Sequence, residues 1–223
     1  MTTSLTDDRR AVLHRRIRLI VGITIGYNLI EAGVSIAAGA AASSVALLGF
    51  GLDSLVEVLS AAAVAWQFTR REPERYEQPV LRVIAFAFFA LAAYVSINAI
   101  LSLAGVLPEA EHSTLGLVIT ALSVVIMPFL SFAERRTGRE LGSATAVADS
   151  KQTLICTYLS AAVLVGLVLN SLLGWAWADS IAALVIAVFA VREGLEAWKG
   201  DTCATPIGML LEEPEDHDHD HDR

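Results

Sequence analysis

The sequence is poor in charge, cysteine and proline. Only 18% of its 223 residues are charged, against about 25% in an average soluble domain. The two cysteines, Cys156 and Cys203, are too few for a disulfide framework, and we interpret both as free thiols. Hydrophobic residues make up 55% of the chain, and its mean hydropathy is +0.57. This composition excludes disordered, collagenous and disulfide-rich secreted classes and predicts a membrane protein.

The net charge of −8 comes mainly from the end of the chain. Residues 212–223 contain seven acids and one arginine. No basic surface is predicted that would bind nucleic acid. The expected environment of the remaining chain is the lipid bilayer.

Six stretches are apolar and almost free of charge. About 20 residues of helix cross the hydrocarbon core of a bilayer, and each stretch is close to that length. Residues 19–68 would form a helix of roughly 75 Å if unbroken, so we expect a turn at Gly39–Ser44. The predicted fold is an all-α integral membrane protein, a bundle of six transmembrane helices. The predicted spans are 19–42, 43–68, 83–107, 113–133, 152–171 and 175–191.

The 16 lysines and arginines all lie in four places: before span 1, between spans 2 and 3, between spans 4 and 5, and after span 6. Because basic residues accumulate on the cytoplasmic side, both termini are expected in the cytoplasm of a multi-pass protein of the cytoplasmic membrane. We predict a cytoplasmic N-terminal arm at 1–16, a transmembrane domain at 17–199 and a His/Asp-rich cytoplasmic tail at 200–223. The first span is too long and too polar for a cleavable signal peptide.

Three acids lie within the first two spans. An ionised side chain at the bilayer centre costs about 2.5–3.5 kcal/mol. Glu31, Asp53 and Glu57 are therefore expected to face the bundle interior or water, to be protonated, or to bind a cation. Asp53 and Glu57 are four residues apart and share a helix face, where one divalent cation or a proton relieves their repulsion. The alternative is a buried, protonated and hydrogen-bonded pair. Asn28, Glu31 and Ser35 form a polar stripe that either lines a cavity or bonds to neighbouring helices.

The start of span 5 places Asp149, Gln152, Cys156 and Ser160 on one helix face. A cysteine thiolate is a soft ligand that favours zinc-like ions. The alternative for Cys156 is a small buried side chain in the core. Asp149 lies beside Lys151, so a surface role is as plausible as a functional one.

Other features carry weaker predictions. His217, His219 and His221 alternate with aspartates in a tail that is either a weak metal site or a solvated acidic end. Asp179, near the start of span 6, is interpreted as a helix cap. Gly22 and Gly26 permit close helix contact and are weak evidence for a homodimer.

The chain resembles the cation diffusion facilitator family, also called cation efflux proteins, between Arg15 and Gly200. An acidic pair on the second helix is its most specific feature. The stretches that carry the resemblance are Tyr27–Ala32, Ser44–Leu48, Asp53–Glu57, Ala148–Cys156 and Trp177–Leu184.

The resemblance implies a transporter that exports a divalent metal, usually zinc, in exchange for protons. It implies a tetrahedral metal site shared by helices 2 and 5. Asp53 and Glu57 match the helix 2 ligands, whereas Gln152 and Cys156 stand where the family usually has His and Asp. The family's cytoplasmic domain after span 6 is not expected here.

We therefore predict metal export with Asp53, Glu57, Cys156 and Gln152 as ligands and Asn28, Glu31 and Asp149 as accessory candidates. Zinc is the expected cargo, with cadmium, cobalt, iron and manganese as alternatives, and no permanently bound cofactor is expected. A membrane metal-binding or regulatory protein without transport is the main rival, and an exporter of organic cations is a further one. No His-Glu-x-x-His or Gly-x-Ser-x-Gly motif points to an enzyme.

Overall fold

Every regular element of the described structure is a helix. The computed structural model describes residues 7–68, 73–142 and 144–199. The prediction of an all-α bundle of six helices is confirmed. The helices are α1 (Asp7–Ala41), α2 (Val45–Phe68), α3 (Pro73–Leu103), α4 (Thr114–Leu141), α5 (Ala144–Leu173) and α6 (Ala176–Lys199).

Five of these helices, α1 to α5, contain stretches that are long and apolar enough to cross a membrane. The sixth, α6, does not meet that criterion by composition, because Asp179 near its start and Arg192, Glu193 and Glu196 near its end interrupt its apolar run. It nevertheless packs against α2, α3 and α5 and completes the bundle.

Several helices extend beyond the predicted spans at the end of the bundle that carries the basic residues. There α4 continues to Leu141, and α1 begins at Asp7, inside the predicted arm. These extensions contact each other, since Arg9 of α1 and Glu140 of α4 form an ion pair of 2.8 Å. The charged residues that end each apolar stretch therefore continue its helix.

The bundle contains two closely packed groups. The first group contains α1, α2, α4 and α5, in which α1 packs against α2 and α4, and α4 packs against α5. The second group is the pair α3 and α6. Contacts of α2 with α3 and α6, and of α5 with α6, connect the groups. The main apolar core lies between α2, α3, α5 and α6, where Phe50, Val95, Val163 and Ile186 are buried.

The connection between α1 and α2 is short, as predicted. Ser43 adopts a φ of 52°, which turns the chain between Ala41 and Val45. A Cβ atom at Gly39 would lie 2.7 Å from the backbone nitrogen of Leu48, so glycine permits the close approach of the two helices. The tight turn places α1 antiparallel to α2 and aligns their polar residues.

Asp179 acts as a cap for a helix other than its own. It lies in the first turn of α6 and is almost fully buried. One carboxylate oxygen accepts a hydrogen bond from the Ser44 hydroxyl, and the other accepts one from the Ala46 backbone N–H at 3.2 Å. Asp179 is thus a helix cap, and the helix that it caps is α2.

Candidate metal site

The two acids of α2 lie in the interior of the bundle. Asp53 is buried, with 6% of its surface exposed, and Glu57 is half-buried one turn further along the helix. Asp53 is close enough to Glu57, Glu193 and Glu31 for their charges to repel its own. Such a concentration of carboxylates attracts cations or protons, because either one removes the repulsion.

The α5 helix places a thiol against this acidic pair. The Sγ atom of Cys156 donates a hydrogen bond to Glu57 Oε1 over 3.0 Å, although 99 positions separate the residues in the chain. Cys156 is buried, with 7% of its surface exposed. A side chain of α5 thus contacts a side chain of α2 at the position where the resemblance implies a metal site.

The α1 helix contributes an amide to the same carboxylate. The Nδ2 atom of Asn28 donates to Glu57 Oε2 over 3.1 Å, so both oxygens of Glu57 accept hydrogen bonds from other helices. Asn28 therefore belongs to the site, beside the predicted ligands. These hydrogen bonds hold Glu57 between α1 and α5 and fix the direction of its side chain.

Glu31 lies one turn further along α1 and is 1% exposed. Its Oε2 atom accepts a hydrogen bond from the Ser54 hydroxyl of α2 over 2.9 Å. Ser123 of α4 lies beside Glu31 and is hydrogen-bonded to Ser160 of α5 over 3.0 Å. The polar stripe of α1 therefore faces the interior and contacts α2 and α4.

Some predicted residues are not placed by the structure. The side chains of Gln152 and Asp149 lie outside the described part of α5, and His217, His219 and His221 lie outside the described residues altogether. Among the described residues, no group of three or more His, Cys, Asp or Glu side chains is arranged to hold a metal ion. The four-ligand set remains a prediction.

Sequence reasoning missed two buried acids. Glu193 of α6 is 8% exposed and lies near Asp53, while Glu134 of α4 is 1% exposed and accepts a hydrogen bond from Thr153 over 3.4 Å. Glu134 directly precedes an arginine and Glu193 directly follows one, so in the sequence both resemble surface residues. The helical spacing was the available signal, since Glu193 continues a buried face that includes Ile186 and Ala190.

Comparison with known proteins identifies the family of the chain. The family model described as "Cation efflux transmembrane domain" matches residues 21–200. The chain is 33% identical to the cation-efflux pump FieF of Shewanella oneidensis over 86 residues, which are 39% of this chain and 29% of that protein. It is 26% identical to an uncharacterized transporter of Synechocystis sp. over 172 residues, which are 73% of this chain and 55% of that protein.

The chain thus spans about half or less of the length of these relatives. The family match nevertheless covers most of α1 and all of the helices that follow it, including α2 and α5 with Asp53, Glu57 and Cys156. Because the family model matches more than half of the chain, the chain belongs to the cation efflux family.

Proposed function

We propose that this protein exports a divalent metal cation, zinc in the first place, from the cytoplasm in exchange for protons. The observation that carries the proposal is the contact between Cys156 of α5 and Glu57 of α2, one turn from the buried Asp53. Two side chains that bind zinc when deprotonated thus come from two helices and contact each other. The family match supports transport of a cation as the activity.

Competition between metal and protons gives the site its direction of transport. Metal binding requires a thiolate at Cys156 and carboxylates at Asp53 and Glu57, so it releases protons. In the described arrangement the Cys156 thiol donates a hydrogen bond to Glu57, so two of the proposed ligands contact each other directly. A metal ion replaces this hydrogen bond, and protons that arrive from the other side displace the ion.

The two packed groups of helices supply a means of alternating access. The acidic pair lies on α2, which contacts both the α3–α6 pair and the group that contains α1, α4 and α5. A rocking of one group against the other exposes a fixed site to each side in turn. Gln152, or water, completes four-coordination in this proposal.

The distribution of basic residues supports one orientation of the protein in the membrane. Arg9, Arg136 and Lys151 lie near the ends of α1, α4 and α5 that are opposite the α1–α2 turn. The positive-inside rule places these ends in the cytoplasm and the turn outside. The protein is then a multi-pass protein of the cytoplasmic membrane that binds metal from the cytoplasm.

Flux in proteoliposomes tests the proposal. Purified protein is reconstituted, a proton gradient is imposed, and the movement of zinc, cadmium, cobalt, iron and manganese is measured. We expect zinc flux that increases with the proton gradient and is accompanied by proton movement in the opposite direction. Zinc binding without flux in correctly inserted protein would identify a metal-binding protein and refute export.

A further inference from the structure

Glu134 is a buried acid to which the proposed function assigns no role. It lies in α4 and is 1% exposed, whereas the two arginines that follow it, Arg135 and Arg136, are exposed. Burial of a charged side chain is costly unless polar groups or a cation face it. Acids within a membrane bundle therefore commonly mark the path of an ion. A role in moving the cation would account for the burial of Glu134.

The buried side of α4 carries hydroxyl groups as well as this acid. Its buried polar residues are Thr120, Ser123, Ser131, Glu134 and Thr137. The Ser131 hydroxyl donates a hydrogen bond to the backbone carbonyl of Ser150 in α5 over 2.6 Å. Phe129 and Phe132 of α4 are exposed and point away from the bundle. Polar side chains therefore extend from α4 into the interior of the bundle, and Glu134 is the charged one among them.

Glu134 lies nearer the basic end of the bundle than the contact between Cys156 and Glu57. Its Oε2 atom accepts a hydrogen bond from the Thr153 hydroxyl of α5 over 3.4 Å. Thr153 precedes Cys156 by three residues, which corresponds to about 4.5 Å along the helix axis. It is therefore closer to the start of α5, where Lys151 lies. An ion that moves from that end of the bundle toward Cys156 passes the level of Glu134.

Four helices enclose both places. In the group of α1, α2, α4 and α5, α1 packs against α2 and α4, while α5 contacts α4 and α2. Each helix thus contacts two others of the group, and together they surround a common interior. Glu57 and Cys156 meet in that interior, and Glu134 is buried nearer its basic end. Glu134 and the candidate metal site therefore belong to one interior at two different depths.

We infer that Glu134 is an entry carboxylate, which binds the divalent cation in passing as it moves from the cytoplasm to Asp53, Glu57 and Cys156. The inference rests on the proposed function and on the orientation that places the basic end of the bundle in the cytoplasm. One carboxylate with hydroxyl neighbours and no sulfur holds a zinc-like ion only weakly, so it captures the ion and lets it go on. Charge of one sign within low-dielectric walls concentrates counter-ions and raises association rates about 10- to 1000-fold.

An entry carboxylate has a distinct kinetic signature. An ion that returns to the cytoplasm leaves past the same residue, so Glu134 lowers the barrier in both directions. Removal of its charge should therefore slow both the association and the dissociation of zinc. Removal of a ligand weakens the bound state instead and speeds dissociation. The direction in which the dissociation rate changes thus distinguishes an entry carboxylate from a fourth ligand.

Stopped-flow measurements of zinc binding to the full chain in lipid nanodiscs test this signature, with release into a chelator as the reverse step. We expect Glu134→Gln to lower the association rate at least tenfold and the dissociation rate at least threefold. Glu134→Asp keeps the carboxylate and should stay within threefold of the parent in both rates. Glu134→Ala is a second neutral variant that introduces no clash, and it should act like Glu134→Gln.

Glu140→Gln is the matched control for loss of a negative charge. Glu140 lies on the same helix and at the same end of the bundle, but it is partly exposed and pairs with Arg9 at 2.8 Å. This variant should leave both rates within twofold of the parent. Thr153→Val removes the hydroxyl but keeps the Glu134 carboxylate, so it separates the charge from the contact between α4 and α5. It should leave the association rate within threefold of the parent.

Two results overturn the inference. The first is a folded Glu134→Gln or Glu134→Ala protein that binds zinc at the rate of the parent, since Glu134 then only holds α4 against α5. The second is a dissociation rate that rises in these variants, since Glu134 is then a ligand of the candidate metal site. Failure of the proposed function is recognised separately. A parent that binds zinc but shows no flux refutes export, while the two rates still decide whether Glu134 lies on the path of the ion.

Discussion

The thiol of Cys156 and the carboxylate of Glu57 form a hydrogen bond of 3.0 Å between α5 and α2. The same carboxylate accepts a second hydrogen bond from Asn28 of α1. Glu57 is therefore the residue at which three helices meet. A side chain held from both sides is kept in one orientation, and a cation that replaces the thiol proton meets a ligand that already points toward it.

The acidic pair of α2 gives the first prediction. Asp53→Asn and Glu57→Gln keep the shape of each side chain but remove a charged ligand, so each should reduce zinc flux at least 100-fold. Proteoliposome flux measures the effect, and detergent extraction with size-exclusion chromatography checks that the variants are inserted and folded. Substantial flux in both variants would show that the ion is bound elsewhere.

Cys156 gives the second prediction. Its thiolate favours soft ions, so Cys156→Ser should weaken zinc and cadmium transport more than manganese transport. Cys156→Asp supplies the acid that the family resemblance implies at this position. It should restore the zinc flux that Cys156→Ser loses. Transport by the panel of metals is the measurement. Cys156→Ala is the packing control, and a zinc flux equal to that of the parent in this variant would reduce the thiol to a core side chain.

The sequence predicted the number of helices and the shared face of Asp53 and Glu57 because both depend on simple patterns, whereas the meeting of α2 with α5 was implied by the family resemblance. Apolar stretches of membrane length specify the helices, and the four-residue spacing of Asp53 and Glu57 specifies one face. The partners of single side chains were less accessible. That Asn28 contacts Glu57 while Glu31 contacts Ser54 depends on the register between α1 and α2, which the turn at Ser43 sets.

The buried acids at the basic end of the bundle show the same limit. Hydropathy falls at Glu134 and Glu193, which made both look like the end of a span. Burial depends instead on the direction in which each side chain points, and both point inward from helices that continue past the apolar stretch. Composition identifies where an apolar stretch ends but not which charged residue beyond it faces a neighbouring helix.

Glu193 gives the third prediction. Its charge lies near Asp53 and increases the attraction of the site for cations. Glu193→Gln should therefore raise the zinc concentration for half-maximal flux by about three- to tenfold and leave the maximal flux within twofold. Glu196→Gln is the matched control, since Glu196 pairs with Arg192 at 3.1 Å at the exposed side of the same helix. Equal effects of the two variants would contradict a specific role for Glu193.

The contact between Asp179 and Ser44 gives the last prediction. It joins the first turn of α6 to the start of α2, and so it connects the two packed groups of helices at the end where the α1–α2 turn lies. Loss of an N-terminal cap costs about 0.5–2 kcal/mol. Asp179→Ala and Ser44→Ala should each lower the unfolding temperature of the purified protein, because Asp179 accepts from the Ala46 N–H and Ser44 accepts from the Leu47 N–H at the start of α2. Thermal unfolding in detergent measures both changes. An Asp179→Ala protein as stable as the parent would show that water replaces the carboxylate at the start of α2, and that this contact does not hold α2 and α6 together.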